Sequence, residues 1–97
     1  MAVRKIITRK MSGKVIYISV PMNARLLSCT VVDGVPHLVL HVTEEEEVKK
    51  ERRSFEVIET GVEIKSRYHL VYYASFADSK GQIKHIFERQ ERLITTQ

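Results

Sequence analysis

The pentapeptide Val32-Asp33-Gly34-Val35-Pro36 limits what this chain can fold into more than any other feature. Asp-Gly accepts positive φ at both central positions of a two-residue hairpin turn. Pro36 has no N–H to give to a ladder, which places it at the start of a returning strand. On either side lie runs dense in β-branched and aliphatic side chains: residues 25–32, Arg-Leu-Leu-Ser-Cys-Thr-Val-Val, and residues 37–43, His-Leu-Val-Leu-His-Val-Thr. A hairpin is predicted here, and its returning strand has a readable face. Leu38, Leu40 and Val42 alternate with His37, Val39 and His41. The aliphatic set looks into a core, and the histidine set is exposed or covered by another subunit.

Similar runs recur along the chain. Residues 14–20, Lys-Val-Ile-Tyr-Ile-Ser-Val, stop at Pro21. Residues 54–60 run into Gly61 and resume at Val62-Glu63-Ile64, so that Gly61 marks a bend, a bulge or a short connection. Residues 68–77 hold three of the four tyrosines, and the turn cluster Asp78-Ser79-Lys80-Gly81 joins them to residues 82–89 in a second hairpin. Residues 91–97 read as a frayed tail. The single helix-permissive stretch is 43–53, where Thr43 and Glu46 have capping-box spacing and Glu45–Lys49 and Glu46–Lys50 the favourable four-residue order. Val48 is its only apolar residue, so it has no face with which to dock. Residues 44–53 are therefore expected to form an exposed charged loop with room for one helical turn.

Six or seven short strands with little or no helix predict an all-β fold, a small antiparallel sandwich or barrel. With 97 residues the chain makes one domain, 1–97, led by a basic stretch over residues 1–13. Such a fold has edge strands to protect, and pairing into a homodimer or higher homo-oligomer is one way to cover them.

Composition excludes several classes. No apolar run approaches the roughly 18–20 residues of a membrane span, so no membrane partner is expected. Arg9, Lys10 and Lys14 interrupt the block that would follow the charged start of a signal peptide, so a cytoplasmic location is expected. The lone Cys29 can form neither an internal disulfide nor a cysteine-based zinc cage, and in an apolar strand its thiol is inert. His37 and His41 share a strand face with their Cα atoms roughly 13 Å apart, too far for one metal. No serine lies in a nucleophile elbow, no carboxylate pair is suggested, and there is no phosphate-cradling glycine loop. No catalytic residue, cofactor or metal site is assigned, and the chain is not expected to be an enzyme.

Charge is more informative. The net charge is +4, and residues 1–14 carry Arg4, Lys5, Arg9, Lys10 and Lys14 with no acid. Lys49, Lys50, Arg52 and Arg53 form a second group, and Lys65 with Arg67 a third that runs into Tyr68, Tyr72 and Tyr73. Arginine beside tyrosine suits phosphates and bases, which makes Arg52, Arg53, Arg67 and Tyr73 the candidate anion-binding residues. The plainer role of such cations is to solvate strands and block edge-to-edge pairing. The acidic run Glu44, Glu45, Glu46 and Glu47 has the look of a nucleic-acid mimic, although the overall positive charge argues for a solvated loop.

Four segments in order, Met22-Asn23-Ala24-Arg25-Leu26-Leu27, Asp33-Gly34-Val35-Pro36-His37-Leu38, Glu59-Thr60-Gly61 and His85-Ile86-Phe87-Glu88, resemble a family of short, uncharacterised tailed-bacteriophage proteins over most of residues 14–89. That family carries Gly-x-Pro-x-Leu-Trp, Gly-Thr-Gly and Trp-His-x-Phe-Glu motifs. This chain has no tryptophan: Val39 and Lys84 stand where the family has it, Asn23 replaces a proline and Glu59 a glycine. The resemblance implies a small phage accessory protein that acts in the host cell by binding. The expected partner is a host or defence protein, inhibited as by an anti-CRISPR protein, or a signalling nucleotide held as by a sponge. For a protein partner the candidate residues are His37, His41, Glu44, Glu45, Glu46, Glu47, Arg52 and Arg53. A nucleic-acid-binding module using the basic amino-terminal stretch, or a minor phage structural protein, is the alternative.

Overall fold

The computed structural model of the chain describes residues 2–45 and 48–93, the last three by backbone alone. Seven strands follow one another: β1 (Val3–Lys10), β2 (Val15–Pro21), β3 (Arg25–Val32), β4 (Val35–Glu44), β5 (Lys50–Glu59), β6 (Tyr68–Ala77) and β7 (Ile83–Leu93). They form two antiparallel sheets, one ordered β1-β4-β3 and the other β2-β5-β7-β6. The sheets meet where β3 lies against β6 and β2 against β4, giving a sandwich-like slab 46 × 42 × 16 Å across.

The period-two pattern explains the core. Leu38, Leu40 and Val42 of β4 are fully buried, and Ile16, Ile18 and Val20 of β2 face them from the other sheet with Phe55 of β5 and Ile86 of β7. The turn between β3 and β4 has the expected backbone: Asp33 at φ 52° and Gly34 at φ 78°. The second hairpin pairs Ala77 with Ile83, and Asp78 organises its turn by accepting hydrogen bonds from the N–H groups of Lys80 and Gln82, both at 2.9 Å.

Two bulges correct the parity of strands whose alternation is irregular. Leu26 and Cys29 are three residues apart and would point to opposite faces of a regular strand. The bulge at Leu27 lets both face the core, opposite Leu40 and Leu38. In β6 the irregularity between Tyr72 and Ala74 does the same for Tyr73 and Phe76. At the β3 bulge the Tyr73 hydroxyl accepts from the Val39 N–H and donates to the Val39 carbonyl, both at 3.2 Å, tying the two sheets together.

Several expectations need correction. The basic stretch 1–13 is largely the strand β1, whose Ile7 packs on the core while Met11 beyond it is buried. Residues 50–53 of the expected 44–53 loop belong to β5, where Lys50, Glu51, Arg52 and Arg53 pair with Pro21, Val20, Ser19 and Ile18. They extend the sheet because Arg53, facing inward, finds an acceptor there. Glu46 and Glu47 lie outside the described residues. Residues 62–64 are not strand: Gly61 turns the chain at φ 83°, the Val62 N–H bonds the Glu59 carbonyl, and an irregular segment leads to β6. Within the expected frayed tail, residues 91–93 continue β7, and 94–97 lie outside the described residues.

Candidate functional site

The sheets leave two outer faces open, and they differ in chemistry. Directly paired residues project to the same side of a sheet. On the three-stranded sheet the register therefore puts Arg4, Ile6, Thr8 and Lys10 of β1 beside Thr43, His41, Val39 and His37 of β4, with Arg25, Ser28 and Thr30 of β3 completing the surface. Arg4 and Lys10 stand about 20 Å apart along β1. No acidic side chain lies on this face among the described residues. Its nearest ion pair, Lys5 Nζ to Glu44 at 3.1 Å, belongs to the opposite side of the sheet.

His37 and His41 thus share one surface with the amino-terminal bases, a proximity the sequence could not show. Both are half-buried, because β4 is the central strand and neighbours flank it on each side. His37 Nδ1 donates to the Val35 carbonyl at 3.1 Å. Ile6 sits among these polar groups and is 56% exposed.

The four candidate anion-binding residues do not converge. Arg53 faces inward, where Nε and Nη2 hold the Glu88 carboxylate in a two-pronged pair at 2.6 Å and Nη1 bonds the Ala24 carbonyl at 2.8 Å. Glu88 thereby raises the Arg53 pKa further, and the guanidinium stays charged. Tyr73 is engaged with Val39, and burial raises the pKa of its phenol. Arg67 lies exposed in the segment before β6. Arg52 alone is on an open sheet face. Glu44 ends β4 and Glu45 follows it, both exposed.

Beside Arg52, already a candidate from the sequence, that open face carries Tyr17, Phe87 and Arg89, which sequence reasoning missed. The Arg52 guanidinium lies over the Tyr17 ring, 4.4 Å from its centroid, and Arg89 lies over Tyr68 at 3.8 Å. Between them Ser54, though on the outer side of β5, is covered to 3% exposure. Further along, Tyr72 meets Phe87 edge-on at 5.7 Å, and a hydrogen-bonded run links Tyr72 through Ser75 to His85 and Thr60. The available signal was alternation: Tyr17 and Ser19 flank Ile18, while Phe87 and Arg89 flank Glu88, in strands whose other face is fixed by the core.

The remaining chemistry is quiet. Burial raises the Cys29 thiol above its ordinary pKa, in keeping with an unreactive side chain. A cavity of about 450 Å³ opens at the turn end of the slab over Met11, Pro36, Val57 and Phe76, where Lys84 is paired with Asp78 at 3.2 Å and Glu59 at 3.7 Å.

Comparison with protein families finds one that matches residues 7–96, Domain of unknown function (DUF7352), and the chain belongs to it. No curated protein and no solved structure matches the chain.

Proposed function

We propose that this member of the family works by occupation and not by catalysis, seating the outer face of its three-stranded sheet on an acidic protein surface. The observation that carries this reading is the acid-free face on which Arg4, Lys10 and Arg25 surround exposed Ile6 and half-buried His37 and His41. An apolar centre with an arginine-bearing polar rim is the usual anatomy of a protein interface. Among the described residues the face has no exposed aromatic ring on which bases would stack, which favours a protein over a single strand. The bacteriophage setting implied by the Gly34-x-Pro36-x-Leu38, Glu59-Thr60-Gly61 and His85-x-Phe87-Glu88 segments makes the partner a component of a host antiviral defence. The protein then inhibits it in the host cytoplasm, as an anti-CRISPR protein does.

The test is affinity capture from defence-carrying bacteria with the wild-type protein and with the triple variant Arg4→Glu, Lys10→Glu, Arg25→Glu. A stoichiometric defence protein retained by the first and released by the second is the expected result. Capture of DNA or RNA instead, with affinity falling against salt at a logarithmic slope near −3 for about three phosphate contacts, would replace this reading with the nucleic-acid module.

A further inference from the structure

The outer face of the four-stranded sheet has a different composition from the face just discussed, and its geometry is that of a second site. Tyr17 of β2, Ser54 of β5 and Arg89 of β7 lie in one row across the sheet, with Arg52 and Ser19 in the next. The two guanidinium groups straddle Tyr17: Arg52 lies over its ring, and Arg89 Nη1 is 3.4 Å from its hydroxyl. Both are held over aromatic rings, Arg52 over Tyr17 and Arg89 over Tyr68, and Arg52 is exposed.

Arg89 has few close hydrogen bonds for a cation whose side chain is only 14% exposed. Its contacts are long, with Nη1 at 3.4 Å from Tyr17 Oη and 3.5 Å from Ser54 Oγ. Its Nε is buried and has no hydrogen-bond partner among the described residues, being ion-paired with the Glu56 carboxylate at 3.6 Å. An arginine held over a ring, with only long Nη1 contacts, keeps donors that an oxyanion can take in competition with the Glu56 carboxylate. A cavity of about 30 Å³ lies between Tyr17, Arg52, Ser54, Tyr68 and Arg89, room for an oxygen or two, so that the rest of such a group would sit outside it on the surface.

What would extend from that oxyanion is set by the next row. Phe87 lies two residues along β7 from Arg89, about 6.6 Å away, and Tyr72 is opposite it. Tyr72 is 57% exposed and its ring meets Phe87 edge-on. Paired cations beside exposed Tyr72 and half-buried Phe87, one strand repeat away, have the spacing of a phosphate and its own base. We propose that this face binds a nucleoside phosphate, the phosphate between Arg52 and Arg89 and the base on Tyr72 and Phe87. The ligand is a free nucleotide or one unit of a single strand, since both present the same chemistry. The site is separate from the cationic face, on the other side of the slab.

The protein carries its own probe. It has no tryptophan, and of its four tyrosines Tyr17, Tyr68 and Tyr72 lie on this face while Tyr73 faces inward. Tyrosine emission, corrected for absorbance, and heteronuclear NMR shifts are followed while AMP, or separately a fluorescein-labelled dT15, is added at low salt. The expected result is saturable binding with shifts confined to β2, β5, β6 and β7, weakened about tenfold by Arg52→Gln, a loss of one charge-assisted contact. Tyr72→Leu should weaken it as well, whereas Lys10→Gln on the other face should not. Saturation by AMP identifies a free-nucleotide site, and saturation by dT15 alone a strand site. Absence of binding by either, or binding that Arg52→Gln leaves unchanged, overturns the proposal. Arg52 is exposed and outside the core, so its variant remains folded, and the triple variant of the cationic face, still competent here, separates this test from that of the protein partner.

Discussion

At the scale of single residues, polar groups hold the fold as firmly as apolar ones. Arg53 and Glu88 form a short two-pronged pair at the sheet junction, with side chains 15% and 22% exposed, and Arg53 also satisfies the Ala24 carbonyl. Arg53→Gln leaves that carboxylate half-enclosed without its partner. A loss of about 2 kcal/mol is expected, read as a melting temperature lower by roughly 10 °C in a domain of this size. An unchanged melting temperature would mean water replaces the guanidinium without penalty. Asp78 gives a pH signature. Hydrogen bonds from the Gln82 backbone first, then from Lys84 and the Lys80 backbone, lower its pKa in the folded state. Its stabilisation is therefore in place above the unfolded value of roughly 3.9 and is lost as pH falls through the lower folded value. Asp78→Asn should flatten the stability profile in that acid window and leave its shape near neutrality unaltered, as checked by urea midpoints between pH 2 and 6.

At the scale of elements, the turn chemistry was legible and strand ends were not. Asp33-Gly34 announced its hairpin because only a few residues tolerate that backbone. Gly34→Ala should cost about 1–2 kcal/mol through left-handed strain at φ 78°, measured by chemical denaturation. Six strands could be read from β-branched density; β1 could not, because its cations alternate with few apolar residues and its Ile7 is the single side chain of the strand that packs on the core. Likewise Lys50–Arg53 read as loop, since the inward position is held by an arginine that matches a distant glutamate. The Ile6-Ile7-Thr8 run was the signal available for β1. Deleting residues 1–10 tests the difference between a tail and a strand. Loss of β1 uncovers the flank of β4, and the shortened chain should lose cooperative unfolding, whereas removal of a mere basic tail would leave the transition intact.

At the scale of the whole molecule, the chain forms a thin plate with a Cα radius of gyration of 14.6 Å, against about 12.5 Å for a compact domain of 97 residues. Thinness is what gives it two broad faces with separate chemistries. The sequence revealed the ingredients of both, basic clusters and arginine beside tyrosine, but paired them by nearness along the chain. The fold sorts them by strand parity instead, sending Arg52 out and Arg53 in, and bringing Arg89 to Tyr17 across 72 positions. The bulge in β6, invisible to a period-two reading, then decides which of Tyr72 and Tyr73 is offered to solvent.

The Tyr73 hydroxyl at the β3 bulge gives the sandwich a reporter of its own opening. An amide in an ordinary ladder exchanges its proton when two neighbouring strands part. The Val39 amide is bonded to a side chain from the other sheet, so its exchange rate measures how often the layers separate while each remains knitted. In wild-type protein that proton should rank among the slow ones. Tyr73→Phe, which strands both Val39 groups at a cost of about 1–3 kcal/mol, should release it selectively, leaving the Leu38 and Leu40 amides protected to within the change in global stability.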